Sequence, residues 1–517
     1  MDGKQITTRY YDMEEASVKG FCAFVKSNIP LVIAVTFTLF FSFGSKLFWY
    51  ATESDAEWFL SDRSFFYIIN SQRGRFGWTI LSMILFFNGF NPFTAFFITF
   101  CSIWIYTISW CYIISIFSRN TGRNDKLIPL ALIFMTAPVW AELFIFLGLA
   151  AETALIIGLC PYVIYLFYKG FLDNERGKVI TASLLLLFMT SVYQAIIPLF
   201  CCGVFIIFVL LQENSDYEPQ VYRKLCLKLF ATLLIILAVH TVISRLFVFA
   251  LYGNERDEYL DTTINQWGQV PIKQVIMEIL GTGYVITIGQ IPLVQRIFNP
   301  IIASYTGAGM LTAEEYINIY ASVSRVHGNI LLLPITALFL ARIIARQSPP
   351  PTGRRLLYIL AGIGIPLSIM LLAIVIGNRP AARTLWALPL ATAFMFYYLI
   401  MAYKKKAATV IACLALFTAF YQAQMTAQLF YSFQMQYNKN VSLSQENNNL
   451  ITQVQPDEEK LPVVFIGSYN IASQFSMNPN FPQSNAIGLS AFERGCVHAE
   501  QTVIHRSVNT PWPKTRI

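Results

Sequence analysis

The chain alternates long apolar runs with short polar breaks. A helix needs about 20 predominantly apolar residues to cross the hydrocarbon of a bilayer. Runs near 29–50, 92–117, 229–251, 328–347, 355–377, 384–403 and 407–430 meet that length. Residues 127–168 form one stretch of roughly twice the spanning length, interrupted by Pro138, Glu142, Glu152 and Pro161, so two helices joined by a tight outer turn are expected. The run 179–211 is too long for one crossing and short for two, which suits a shallow hairpin turning near Tyr193 and Gln194. The pattern predicts an all-α polytopic membrane protein with about 11 transmembrane segments.

Composition agrees. Of 517 residues, 56% are hydrophobic and only 13% are charged, against about 25% charged in soluble domains. On a soluble chain a formal net charge of +8 would make nucleic acid worth weighing as a partner; here topology explains it and no nucleic acid is implied. With the N terminus in the cytoplasm, the inner loops collect Lys4, Arg9, Lys19 and Lys26; Arg119, Arg123 and Lys126; Lys169, Arg176 and Lys178; Arg223, Lys224 and Lys228; Arg342, Arg346, Arg354 and Arg355; and Lys404, Lys405 and Lys406. These are more than half of the 37 Lys and Arg, as the positive-inside rule requires. The first apolar run is too long for a signal-peptide core and reads as a retained helix. Eight of the nine cysteines fall in or beside apolar segments, and no disulfide framework is implied.

This layout makes residues 1–28 a cytoplasmic segment, 29–430 a membrane domain and 431–517 an outer domain, with outer loops at 51–78 and 252–327. In the second loop, VIMEIL and YVITIGQIPLV alternate with EEYINIY, a pattern for amphipathic helices lying on the membrane face. The C-terminal segment opens with QENNNLITQVQPDEEK and then gives the β-like LPVVFIG. A small α/β domain docked on the membrane part is expected there, since so short a segment buries little core alone.

Charges outside the inner loops need another reason. The first outer loop, ATESDAEWFLSDRSFFYIINSQRGRFG, crowds Glu53, Asp55, Glu57, Asp62, Arg63, Arg73 and Arg75 beside a membrane helix. If 53–69 is helical, Asp55, Phe59 and Asp62 share a face. A solvated helix with Arg63 salt-bridged to a nearby acid explains the charges structurally. The functional reading is a carboxylate acting as general base among Asp55, Glu57 and Asp62, with Arg73 or Arg75 binding an anion. In GNRPAARTLWALP, Arg379 and Arg383 lie four apart at the outer rim beside Trp386. They suit a phosphate at headgroup depth, or else snorkel to lipid phosphates.

Glu142 and Glu152 lie in apolar surroundings, where an acid ordinarily faces a cavity or a partner, and His240 and Arg245 are candidates for that role. Arg325 and His327, just before a crossing, fit either an interfacial or a donor-site role. GTGYVITIG has no G-x-x-G continuation and no Walker motif occurs, which argues against a nucleotide-driven pump. Cys496, His498 and His505 match no zinc spacing, so no metal is expected.

Taken in order, the acidic loop with RGRFGW, the stretch APVWAELFIF, the segment NRPAARTLWALPL and the tail VVFIG with SAF carry a resemblance. The chain resembles the serotype-converting O-antigen glucosyltransferases of enteric bacteria and their phages, polytopic enzymes of the GT-C class. The likeness covers most of the membrane part and, more loosely, the tail. It implies a multi-pass bacterial inner-membrane enzyme with a periplasmic active site and C terminus. Such an enzyme takes glucose from undecaprenyl-phosphate glucose and adds it to a sugar of the lipid-linked O-antigen, supplied by a donor-lipid synthase and a donor-lipid flippase, with no cofactor. It also implies a first-loop acid as base, carried here to Asp55 or Glu57. The family pattern has two adjacent acids, then an arginine and a later Gly-Arg. Here Ala56 splits the acids and Asp62-Arg63 competes for the position, whereas Gly74-Arg75 matches the later element. The rival readings are a GT-C transferase for another sugar or acceptor, and a transporter or flippase. The latter would place its ionisable residues at the midplane of repeated bundles, and no internal repeat is visible.

Overall fold

The computed structural model describes residues 16–48, 51–52, 59, 63–120, 122–214, 217–252, 265–287, 329–346 and 352–454. Regular structure in these residues is entirely helical. Three of the expected acids, Asp55, Glu57 and Asp62, lie outside the described residues, as do Arg325, His327 and most of the expected α/β domain, residues 455–517.

A short helix, α1 (Val18–Ser27), capped by the Ser17 side chain, precedes α2 (Ile29–Phe43), which runs on as a 3-10 turn, Gly44–Leu47. Two helices, α3 (Arg63–Gln72) and α4 (Phe76–Leu85), come before α5 (Pro92–Phe117), whose first N–H groups are capped by Asn91. The apolar stretch 127–168 divides as expected. Its first half is α6 (Leu127–Thr136) and α7 (Pro138–Ile145), bent by 42° because Pro138 offers no N–H to continue the ladder, and its second half is α8 (Leu147–Leu172). A hairpin of α9 (Arg176–Val192) and α10 (Ile196–Asn214) turns at the extended Tyr193 as expected, but it is not shallow, since α10 is long and apolar enough to span by itself.

Then follow α11 (Pro219–Tyr252), α12 (Ile272–Thr287) in the amphipathic outer segment, α13 (Leu332–Ala345), α14 (Thr352–Ile376) and α15 (Ala387–Ala402). The last helix, α16 (Lys405–Val454), has 50 residues. At 1.5 Å per residue it is about 75 Å long. It therefore carries the expected crossing at 407–430 onward, without interruption, into the polar QENNNLITQV sequence.

Seven of these helices, or eight if α6 and α7 form one bent span, are long and apolar enough to cross a membrane. The packed helices α9, α13 and α15 are shorter than a full span. Burial separates an interior from a lipid-like surface. Helices α8 and α15 are buried over most of their circumference, whereas α11 exposes Leu227, Phe230, Leu234, Ile235, Val242, Leu246 and Phe249. An apolar face of that extent on a helix of 34 residues is what a lipid-facing helix presents.

Hydrogen bonds define the two ends of the bundle. At one, Asn214 donates to the Phe117 carbonyl, Asn28 donates to Gly122 and Arg342 donates to Ala402. This gathers the basic loops that the positive-inside pattern assigns to the cytoplasm. At the other, Trp78 donates its indole N–H to Gly148 and the Ala51 N–H donates to Gln434. There α4 packs on α9 through Gly77, where a Cβ would stand 2.0 Å from Ser191 Oγ and 3.0 Å from the Ser191 carbonyl carbon. The backbone atom cannot swing aside as a side chain can. Gly77→Ala is expected to cost about 1–3 kcal/mol, read as a lower unfolding midpoint in detergent, with Ser191→Ala recovering only part of it.

Candidate active site

The site begins with a helix ending. At the C terminus of α3 the Arg75 N–H bonds the Asn70 carbonyl and the Gly74 N–H bonds the Ser71 carbonyl, the paired closure of a glycine-terminated helix. Gly74 has φ +75°, in the left-handed region where a side chain is strained, and a Cβ there would meet Ser244 Oγ at 2.7 Å. This is the physical reason for the Gly-Arg element noticed in the sequence.

Two other elements hold the turn. Gln194, at the α9–α10 turn, donates its side-chain N–H to the Arg73 carbonyl at 3.2 Å. Buried His240 of α11 sits 3.2 Å from the Gly74 carbonyl through Nε2, which must carry the proton for the bond to form, and its ring stacks on Phe76. His240, expected near Glu142 or Glu152, is therefore a support of the Arg73–Arg75 turn. Arg245, on the same helix, is exposed.

So held, the Arg75 guanidinium lies over the Tyr193 ring at 4.4 Å and donates to Asn70 Oδ1 at 3.2 Å. Tyr193 stacks on Trp386, with centroids 5.2 Å apart and planes at 17°. Trp386 donates its indole N–H to the Arg383 carbonyl, and the Arg383 guanidinium lies over Phe146 at 4.4 Å. Four segments far apart in sequence thus bring Arg75 and Arg383 to one end of the bundle, tied through an aromatic pair. Both arginines are half-buried, a setting in which cation–π contacts fix a guanidinium's position.

The buried acids divide. Glu142 lies on α7, which packs against the Ala382–Thr384 turn that carries Arg383, so it belongs to this end. Glu152 is fully buried in α8, with Ser82 and Trp78 beside it and the Arg63 guanidinium close enough to act on it electrostatically. Neither Glu152 oxygen has a hydrogen-bond partner among the described residues. Arg63 donates to the Phe86 carbonyl at 2.7 Å and lies over Tyr67 at 5.2 Å.

Arg379 turns elsewhere. It pairs with Glu278 of α12 at 3.5 Å, which joins the amphipathic outer helix to the segment after α14. Burial pushes the Glu278 carboxyl above its ordinary value, and Arg379 pulls it back. A carboxyl raised in the folded state makes folding less favourable as pH climbs from the ordinary carboxylate range through the raised value. Arg379→Ala removes the pull and raises it further. The variant is expected to lose about 1–2 kcal/mol at neutral pH, with the loss shrinking as acid protonates Glu278. Unfolding midpoints measured across that pH range check the sign.

Several of these residues escaped the sequence reading as site components. In the sequence Tyr193 and Gln194 stand out only as a turn and Trp386 only as a neighbour of the rim arginines, while Glu278 is hidden in VIMEIL. Lys46 was passed over; it is buried at the same end, donates to the Ala51 carbonyl at 2.8 Å and lies over the Phe433 ring at 5.1 Å. A lone Lys beside an apolar run was its only signal.

No curated protein and no solved structure matches the chain. The family described as glucosyl transferase GtrII matches residues 64–401, from just after Asp62 to the last residues of α15. With well over half of its length inside that match, the chain belongs to the GtrII family of glucosyltransferases.

Proposed function

We propose that this glucosyltransferase takes glucose from undecaprenyl-phosphate glucose and adds it to a sugar of the lipid-linked O-antigen, on the periplasmic face of the bacterial inner membrane. The observation that carries the reading is the joining of Arg75 and Arg383 through the Tyr193–Trp386 stack. They meet at the end of the bundle opposite the basic loops, where Phe59 and Arg63, neighbours in sequence of the three candidate acids, also pack.

The chemistry follows from the groups. The acceptor hydroxyl oxygen bonds the anomeric carbon as that carbon's bond to the phosphate oxygen breaks. The hydroxyl proton passes to a carboxylate, Asp55, Glu57 or Asp62, on the face opposite the leaving group. The polyprenyl phosphate departs with the bonding pair, and its added negative charge is met by the guanidiniums of Arg75 and Arg383. A single displacement of this kind inverts the anomeric centre. A donor-lipid synthase and a donor-lipid flippase must supply the substrate on that face.

Expression in an O-antigen-producing host, followed by analysis of the polysaccharide, tests the reading. One added glucose per repeat is the expected result. An unchanged polysaccharide, with lipid or solute translocation in proteoliposomes, would move the chain to the transport reading.

A further inference from the structure

At the basic end of the bundle lies a second polar site, away from the proposed chemistry. A cavity of about 650 Å³ opens between the ends of α10, α13 and α15 and is lined by Glu213, Arg342, Arg346, Tyr398, Met401 and Ala402. Glu213 pairs with Arg346 and accepts hydrogen bonds from Tyr358 at 2.6 Å and Tyr398 at 3.0 Å. Its charge is thus answered within the wall. Arg342 is different: it reaches the Ala402 carbonyl at 3.4 Å, lies 5.9 Å from the Tyr403 ring, and has no carboxylate in ion-pair range among the described residues. Next to it, a shallower hollow is lined by Tyr403, Lys404, Lys405 and Lys406.

We infer that this cavity binds the phosphate of an anionic phospholipid headgroup from the leaflet it faces. The cavity sits at helix ends, where headgroups lie. Arg342 supplies a guanidinium with donors to spare, and the lysine run adds a field that favours an anion. Met401 and Ala402 give the glycerol backbone an apolar edge, and the Tyr358–Tyr398–Glu213 network fixes Arg346 one turn beyond Arg342 on the same helix end, which leaves Arg342 as the cation that meets the phosphate.

Native mass spectrometry of the full chain, released from bilayers holding equal phosphatidylglycerol and phosphatidylethanolamine, tests this without reference to sugar transfer. Phosphatidylglycerol is expected to be retained preferentially, and Arg342→Ala to lower its retention about tenfold, the loss of one charged hydrogen-bonding contact. Equal retention of the two lipids by the unaltered chain would overturn the inference whether or not the variant folds. So would unchanged retention in Arg342→Ala. Displacement of the lipid by excess inorganic phosphate, with the phosphate retained in its place, would assign the cavity to a free anion and overturn the lipid assignment.

Discussion

Glucosyl transfer is expected to fall about 10²–10⁴-fold when the general base is neutralised, in one of the three variants Asp55→Asn, Glu57→Gln and Asp62→Asn. These substitutions keep the size of the side chain and remove only its capacity to take a proton, so insertion and stability should be unaffected. Initial rates with a labelled lipid donor, normalised to protein in the membrane, give the measurement. The resemblance favours Asp55 or Glu57; full activity in both variants would move the role to Asp62. The other two acids should tolerate the change within a few-fold, because an acid that takes no proton in the reaction adds little to the barrier. Activity unchanged in all three variants would remove the first outer loop from the chemistry.

The second large effect is expected at Arg383. Loss of one preorganised donor to a developing negative charge costs about 10²–10³-fold in rate, and Arg383→Ala should fall in that range. Arg383→Lys keeps a charge but not the planar fork, so it should recover only part of the rate. The deficit should appear mainly in kcat, since the phosphate gains charge as the bond to the sugar breaks. An arginine that merely snorkels to lipid headgroups would leave both kcat and KM unchanged. Arg75→Ala should behave like Arg383→Ala if the two act on one phosphate, and the double variant should then lose less than the product of the single losses. Arg379 makes the contrast: its pairing with Glu278 predicts an effect on stability that exceeds any effect on the chemical step.

Much of the helical scaffold was legible from run length. The length of 127–168 called for two halves and Pro138 for the bend inside the first, while the break at Phe146 carried no residue signal and Pro161 runs inside α8; the α9–α10 hairpin turns at Tyr193 as the length of 179–211 suggested. The continuation of α16 to Val454 departs from the boundary expected at 430, where the sequence turns polar. No Gly or Pro occurs between Lys405 and Val454, and Asn, Gln and Ser alone do not end a helix. The arginines stood out because topology could not account for them. Their settings did not stand out: Arg75 finds Tyr193, and Arg383 finds Phe146, across separations that only tertiary packing closes. Nor does composition show that His240 spends its ring nitrogen on a glycine carbonyl. Glu278 was concealed for another reason, since an acid on an amphipathic helix looks like its wet face until Arg379 arrives from another segment.

Movement of glucose from a polyprenyl phosphate to a lipid-linked glycan with inversion can be followed by reconstituting the purified chain with undecaprenyl-phosphate glucose, labelled in the sugar, and lipid-linked O-antigen. Label is expected in the glycan, with release of undecaprenyl phosphate in equal amount and a new linkage of anomeric configuration opposite to that of the donor. Transfer from a nucleotide sugar but not from the lipid donor, or a linkage that keeps the donor's configuration, would contradict it.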